Sequence, residues 1–147
     1  MAVPSTWHEE EGFSYRLFPA KTAKPDCVII YLHGLNNVPE LPDSYVQEIH
    51  AQMPGADVIA LQAPIKIRKS PSFPDPKGYS WFPLAMSVKS EMKNWLSHIF
   101  KRMAIAGKVE SFAKTQLEKR GLAEDKLAYY GHSMGGIVAL QAGLSGD

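Results

Sequence analysis

One stretch near the end of the chain dictates how the backbone must run. Lys126-Leu127-Ala128-Tyr129-Tyr130 reads as an apolar strand, and Gly131-His132-Ser133-Met134-Gly135 leads from it directly into the helix-like run Gly136 to Leu140. A strand that becomes a helix within so few residues must turn sharply. The G-x-S-x-G spacing puts Ser133 at the apex of that turn, its hydroxyl projecting out of the sheet. Gly131 and Gly135 flank it because side chains there would collide as strand and helix close on each other. The chain is therefore expected to place strands beside helices in layers, with a strained serine at one strand end.

A second segment, far upstream, fits the same arrangement. Cys27-Val28-Ile29-Ile30-Tyr31-Leu32 is a continuous β-branched and aromatic run, as expected of a strand buried on both faces, and it exits into His33-Gly34-Leu35-Asn36-Asn37. A strand ending in His-Gly upstream of a G-x-S-x-G supplies what an oxyanion hole needs. One backbone N–H would come from Leu35 and the other from Met134, the residue after the serine. The N-terminus of the helix after Ser133 adds partial positive charge. The alternative for His33-Gly34 is an ordinary exit from strand to loop.

With these residues in place, the chain resembles the phospholipase/carboxylesterase group of α/β-hydrolases, which includes the acyl-protein thioesterases. Four segments carry the resemblance in order: Tyr31 to Leu35, Asp57-Val58-Ile59-Ala60-Leu61-Gln62-Ala63-Pro64, Gly78-Tyr79-Ser80-Trp81-Phe82, and Gly131 to Gly135. It implies a mostly parallel sheet flanked by helices and incomplete at its C-terminal side. It also implies hydrolysis of carboxylic esters or thioesters through Ser133, without metal or organic cofactor. One departure is local: many members have Phe-Ser-Gln where this chain has His132-Ser133-Met134.

A larger departure concerns the other catalytic groups. In α/β-hydrolases the order is serine, acid, histidine. Here only Gly136 to Asp147 follow the motif, with no histidine and a single acid, Asp147. The five histidines are His8, His33, His50, His98 and His132. His132 adjoins the serine but should point away from its hydroxyl, His33 reads as an orienting or packing residue, and His50 and His98 read as partly exposed helix positions. Residues 1–147 are thus read as one domain, matching the first two thirds of the family's length. Removing the general base from a serine hydrolase costs on the order of 10⁶ in turnover. The chain alone is expected to be a poor catalyst, and a catalytically inactive remnant or acyl-binding module is the rival reading.

Composition narrows the partners. A net charge of +1 gives no reason to invoke nucleic acid. The single cysteine, Cys27, excludes an internal disulfide and suits a cytoplasmic protein. Met1 to Glu11 lacks the basic and apolar regions of a signal peptide, and no apolar run has the length of a membrane span, which leaves room for peripheral membrane contact. The expected partner is a small-molecule ester or acyl-lipid substrate.

The remaining elements follow from periodicity. Phe13 to Leu17 alternates and is expected as an exposed antiparallel edge strand. A helix is expected from Asp43 or Ser44, with Ser44 and Gln47 as a capping box, Val46, Ile49 and Met53 as its apolar face, and Pro54-Gly55 as its end. Val58 to Leu61 is the next buried strand. Gln62 to Pro83 is a long proline-punctuated loop in which Trp81 and Phe82 either wall an acyl pocket or anchor the loop to the core. Lys66, Arg68, Lys69 and Lys77 make it basic, a pattern more often found on a solvated face. Two helical stretches should follow, one carrying Met92, Trp95, Leu96, Ile99 and Met103, the other Ile105, Val109, Phe112 and Leu117, before Gly121. The strand before Ser133 should have an open edge, which predicts instability or self-association.

Overall fold

A computed structural model describes residues 3–82 and 88–145, with the side chains of 88–100, 102 and 145 outside that description. Five strands form one sheet in the order β1-β2-β4-β3-β7. These are β1 (Thr6–Glu10), β2 (Phe13–Phe18), β3 (Cys27–Leu32), β4 (Ala56–Leu61) and β7 (Leu127–Gly131). The strands β4, β3 and β7 run parallel, while β1 and β2 add an antiparallel hairpin on one side. Two short strands, β5 (Ile65–Lys66) and β6 (Tyr79–Ser80), pair separately within the proline-rich segment.

The continuous apolar character of β3 and β4 has the expected cause, since both are covered on two faces. Val28, Ile30 and Leu32 point to one side, with Phe13, Tyr15, Ile59 and Leu61, and meet the helices α2 (Val88–Arg120) and α3 (Met134–Ser145). Ile29 and Tyr31 point to the other, with Phe18, Val58 and Ala60, and meet Val46 of α1 (Asp43–Gln52). Alternate residues of a strand face opposite ways, so a strand with helices on both sides must be apolar throughout.

Several expectations need correction. Phe13 to Leu17 is not an exposed edge. The edge is β1, joined to β2 by the two-residue turn Glu11-Gly12, at φ 52° and 80°. Phe13 and Tyr15 are buried against Phe112 in edge-on ring contacts at 5.6 and 5.2 Å. The two expected helices are one continuous α2, ended at Gly121 with φ 65°. Ile105, Val109, Phe112 and Leu117 are buried as expected, whereas Met103 is exposed. The side chains of Met92, Trp95, Leu96, Ile99 and His98 lie outside the described residues. No capping box forms on α1. Its cap position is Pro42, with no side-chain hydrogen bond, and the Tyr45 N–H donates to the Pro42 carbonyl at 2.9 Å. Met53 lies beyond the helix and is exposed, while His50 is buried and its Nε2 is 2.9 Å from the Ala56 carbonyl oxygen.

Polar groups lock the layers together. Asp57 is the second residue of the otherwise apolar β4. One carboxylate oxygen accepts the Ala20 N–H at 2.8 Å and the other accepts Arg120 Nε–H at 2.7 Å, which ties the C-terminal end of α2 to the sheet. Among the described residues β7 has no strand on its outer side.

Candidate active site

Ser133 sits in the turn between β7 and α3 with φ +54°. A non-glycine residue in this region costs roughly 1–2 kcal/mol, and the neighbouring hydrogen bonds enforce it. The His132 N–H donates to the Leu32 carbonyl at 3.0 Å, and the Ser133 carbonyl accepts the Gly136 and Ile137 N–H groups at 2.9 and 3.3 Å. The flanking glycines are required by space. A Cβ on Gly131 would lie 2.5 Å from the Gly135 carbonyl oxygen, and one on Gly135 would overlap the carbonyl oxygens of Leu32 and His33. Ser133 itself is exposed, while Met134 after it is buried in the core.

The exit of β3 lies against this turn. A Cβ on Gly34 would be 3.1 Å from His132 Nδ1 and 3.3 Å from the His132 carbonyl oxygen, so the two loops touch. Leu35 follows, half-buried against the main core. Asn36, at φ +60°, holds the loop by accepting the Lys77 and Gly78 N–H groups on its Oδ1 at 2.8 and 2.9 Å. Its own N–H donates to the Tyr79 carbonyl at 3.0 Å, and the Tyr79 N–H donates to the Asn37 carbonyl at 3.1 Å. Ser80 then reaches the turn after β7: its hydroxyl lies 2.6 Å from the Phe82 carbonyl oxygen and 3.4 Å from Met134 Sδ. Sequence reasoning missed both Asn36 and Ser80. Asn36 was findable, since asparagine tolerates left-handed backbone better than most residues and its side chain closes turns.

His33 is a buried brace. Its Nε2 accepts the Ala63 N–H at 3.0 Å, so the ring proton sits on Nδ1, which donates to the Gly34 carbonyl at 2.7 Å. Burial pushes its pKa below the ordinary histidine value, and the Gly34 bond opposes this only in part. Trp81, also buried, lies tilted beside the ring with centroids 5.3 Å apart and donates its indole N–H to the His33 carbonyl at 2.7 Å. Trp81 therefore anchors its loop to the end of β3, and Phe82 is buried in the same cluster as Met134.

Around Ser133, then, the described residues bring together the two glycines, the His33–Leu35 loop and the start of α3. Neither the Leu35 nor the Met134 N–H donates a hydrogen bond to another described residue. His132 is exposed beside the serine, and the His8 ring is paired with Thr6 at 2.7 Å on the far strand β1. No three His, Cys, Asp or Glu side chains among the described residues converge as a metal site would require, and no described helix is long and apolar enough to cross a membrane.

No protein-family model and no curated protein sequence matches the chain. Solved structures do match in backbone. Esterase PE8 superposes with a TM-score of 0.65 at 23% identity over 87% of this chain and 55% of its own. A carboxylesterase from Mesorhizobium loti gives 0.62 at 20% identity, covering 94% and 57%. YahD, solved with malic acid, gives 0.60 at 15% identity, covering 91% and 58%. At these identities the likeness establishes the fold, and the chain spans little more than half the length of the structures it matches.

Proposed function

We propose, from the α/β-hydrolase fold that this chain carries, that it belongs to a hydrolase of carboxylic esters or thioesters acting through an acyl-enzyme on Ser133. The observation that carries this reading is the serine held at φ +54° on an exposed turn, where strand, helix and the exit of β3 close over two glycines. Structure tolerates such strain where surrounding bonds over-determine it, and it recurs where a side chain must be presented to a reactant.

In this reading the Ser133 Oγ attacks the substrate carbonyl carbon and its proton passes to a general base. The carbonyl oxygen becomes negative as the tetrahedral intermediate forms. The Leu35 and Met134 N–H groups, which donate to no described residue, are the donors for that oxygen, and the N-terminus of α3 adds favourable potential. Removing one such donor from a serine hydrolase costs about 10²–10³ in turnover. Gly34 and His132 set the spacing of the two loops, and His33 fixes the first of them. Trp81 and Phe82, buried in the same cluster as Met134, back the site from within the core and hold its loop in place. Short-chain esters, lysophospholipids and S-acylated proteins all present a carbonyl beside an apolar chain and are the substrate classes this site would take.

A second reading, an acyl-binding module without turnover, is favoured by one observation. His33, at the exit of β3 beside the proposed oxyanion donor Leu35, has both ring nitrogens engaged and no free acceptor for the serine proton. Fluorophosphonate labelling read by intact mass, beside Ser133→Ala, separates the two. Stoichiometric labelling that disappears in Ser133→Ala supports an activated serine. An unlabelled, folded chain supports the binding module and refutes catalysis by this chain alone.

A further inference from the structure

The loops that frame Ser133 also build a second concavity. It is lined by Trp7, Val38, Glu40, Lys66, Lys77 and Tyr79, among others, and measures about 430 Å³, within the range of small-molecule sites. It lies beyond the C-terminal ends of β3 and β4, the edge at which open α/β sheets place their ligands. One segment, Tyr79–Ser80, connects its lining to the candidate active site. Tyr79 is tied to Asn36 and Asn37, and the next residue, Ser80, reaches Met134 beside the serine.

Its chemistry is specific. Lys66 and Tyr79 are direct cross-strand partners, so their side chains leave the ribbon on the same face as neighbours. Lys77 adds a second ammonium, and its backbone N–H is fixed by the Asn36 side chain. Among the described residues the lining holds one acid, Glu40, which pairs with Arg16 at 3.4 Å. Arg68 and Lys69 follow on the exposed side of the same loop. Trp7, 54% exposed, offers a large aromatic surface, with the Arg16 guanidinium 5.5 Å from its ring centre. Two ammonium groups without an ion-pair partner among the described residues, two aromatic rings and an acid paired to Arg16 suit a ligand that joins an apolar or planar body to a negatively charged end.

We propose that this groove is an anion-recognition subsite, in which Lys66 and Lys77 receive the carboxylate or phosphate end of an ester whose carbonyl lies at Ser133. The choice of ester rests on the hydrolase reading above, whereas anion binding in the groove does not.

The test is a titration of the full chain and of Ser133→Ala with monobenzyl succinate, benzyl phosphate and the uncharged benzyl methyl succinate. Binding is read from tryptophan fluorescence and from the amide shifts of Gly78 and Tyr79. Both anions should bind about tenfold more tightly than the neutral diester, with the advantage shrinking as salt is raised. The Lys66→Gln/Lys77→Gln variant, altered only at exposed side chains, should lose that advantage and keep the wild-type melting temperature. The relative strength of the succinate and phosphate arms identifies the preferred source of charge. Equal affinity for the neutral diester, a preference that survives in the double variant, or no anion binding at millimolar ligand in low salt would each overturn the subsite. Anion preference in a chain that fluorophosphonate leaves unlabelled would retain the subsite and reject the hydrolase. Labelling of Ser133 without anion preference would do the reverse.

Discussion

Replacing Ser133 by glycine should make the protein more stable than replacing it by alanine. Both variants lose the hydroxyl, and the side chain at this position is exposed, so packing changes little in either. They differ in what φ +54° costs them. Alanine keeps the left-handed penalty of roughly 1–2 kcal/mol, while glycine escapes it. Against this, glycine gains freedom in the unfolded chain, worth about 0.4–1 kcal/mol. The backbone cannot relax to erase the difference, because His132, Ser133, Gly136 and Ile137 are all held by main-chain hydrogen bonds. The net advantage of Ser133→Gly over Ser133→Ala is about 1 kcal/mol. With a urea dependence of about 2 kcal/mol per molar, the unfolding midpoint of the glycine variant should lie about 0.5 M above that of the alanine variant. Equilibrium urea unfolding followed by far-UV circular dichroism measures it. A glycine variant equal to or weaker than the alanine variant would show that the turn stores no strain, and would remove the main support for Ser133 as a presented nucleophile.

Three further outcomes are expected. Gly135→Ala, whose methyl would overlap the backbone carbonyls of Leu32 and His33 at the exit of β3, should cost about 3 kcal/mol in urea unfolding, whereas Gly107→Ala, with no described atom within 4 Å, should gain about 1 kcal/mol; equal effects at the two sites would contradict the close approach of α3 to β3. Burial lowers the His33 pKa, so the folded chain binds its proton less readily than the unfolded chain does. Stability should then be level above about pH 6.5 and decline below it. His33→Gln should flatten that decline, and an unchanged slope would exclude His33 as its source. Finally, we expect a second copy of the chain to pair along β7. This edge has no charge or proline from Leu127 to Gly131 and lies beside exposed Tyr130, Ile137, Leu140 and Leu144. Sedimentation velocity should show concentration-dependent association that Leu140→Lys/Leu144→Lys reduces, and a monodisperse, high-melting wild-type monomer would dismiss the idea.

What the sequence makes legible here depends on how many neighbours decide each element. β3 runs from Cys27 to Leu32 as its apolar residues require, because a strand covered on both faces tolerates no polar interruption. The turn at Ser133 is equally local: its two glycines and its serine encode the geometry within five residues. β1 escaped notice because four of its five residues are exposed and Thr-Trp-His-Glu-Glu carries no alternation, its place being set by pairing with β2. The continuity of α2 escaped for a related reason. Gly107 interrupts the periodicity without ending the helix, and tertiary packing of Ile105, Ala106 and Val109 carries the backbone through. His50 looked like a surface residue because a mid-helix histidine gives no sign that a carbonyl from the start of the next strand awaits it.

The same distinction divides the chemistry proposed for Ser133. A strained serine and two N–H donors need only a strand end, a helix start and one neighbouring loop, and these three parts lie within hydrogen-bonding reach of one another through Leu32, Gly34 and His132. Stabilising the oxyanion is thus a property of local backbone, and it needs no titratable side chain. Activating the hydroxyl is different, because it requires an imidazole with a free acceptor nitrogen at the serine. His33, the buried histidine nearest in sequence to the proposed oxyanion donor Leu35, has spent its acceptor on Ala63. Protonating that ring would break the Ala63 bond and charge a fully buried group, so the interaction that shapes the oxyanion loop disqualifies His33 as the base. The site should accordingly hold a tetrahedral mimic that brings its own negative charge better than it activates Ser133 for attack.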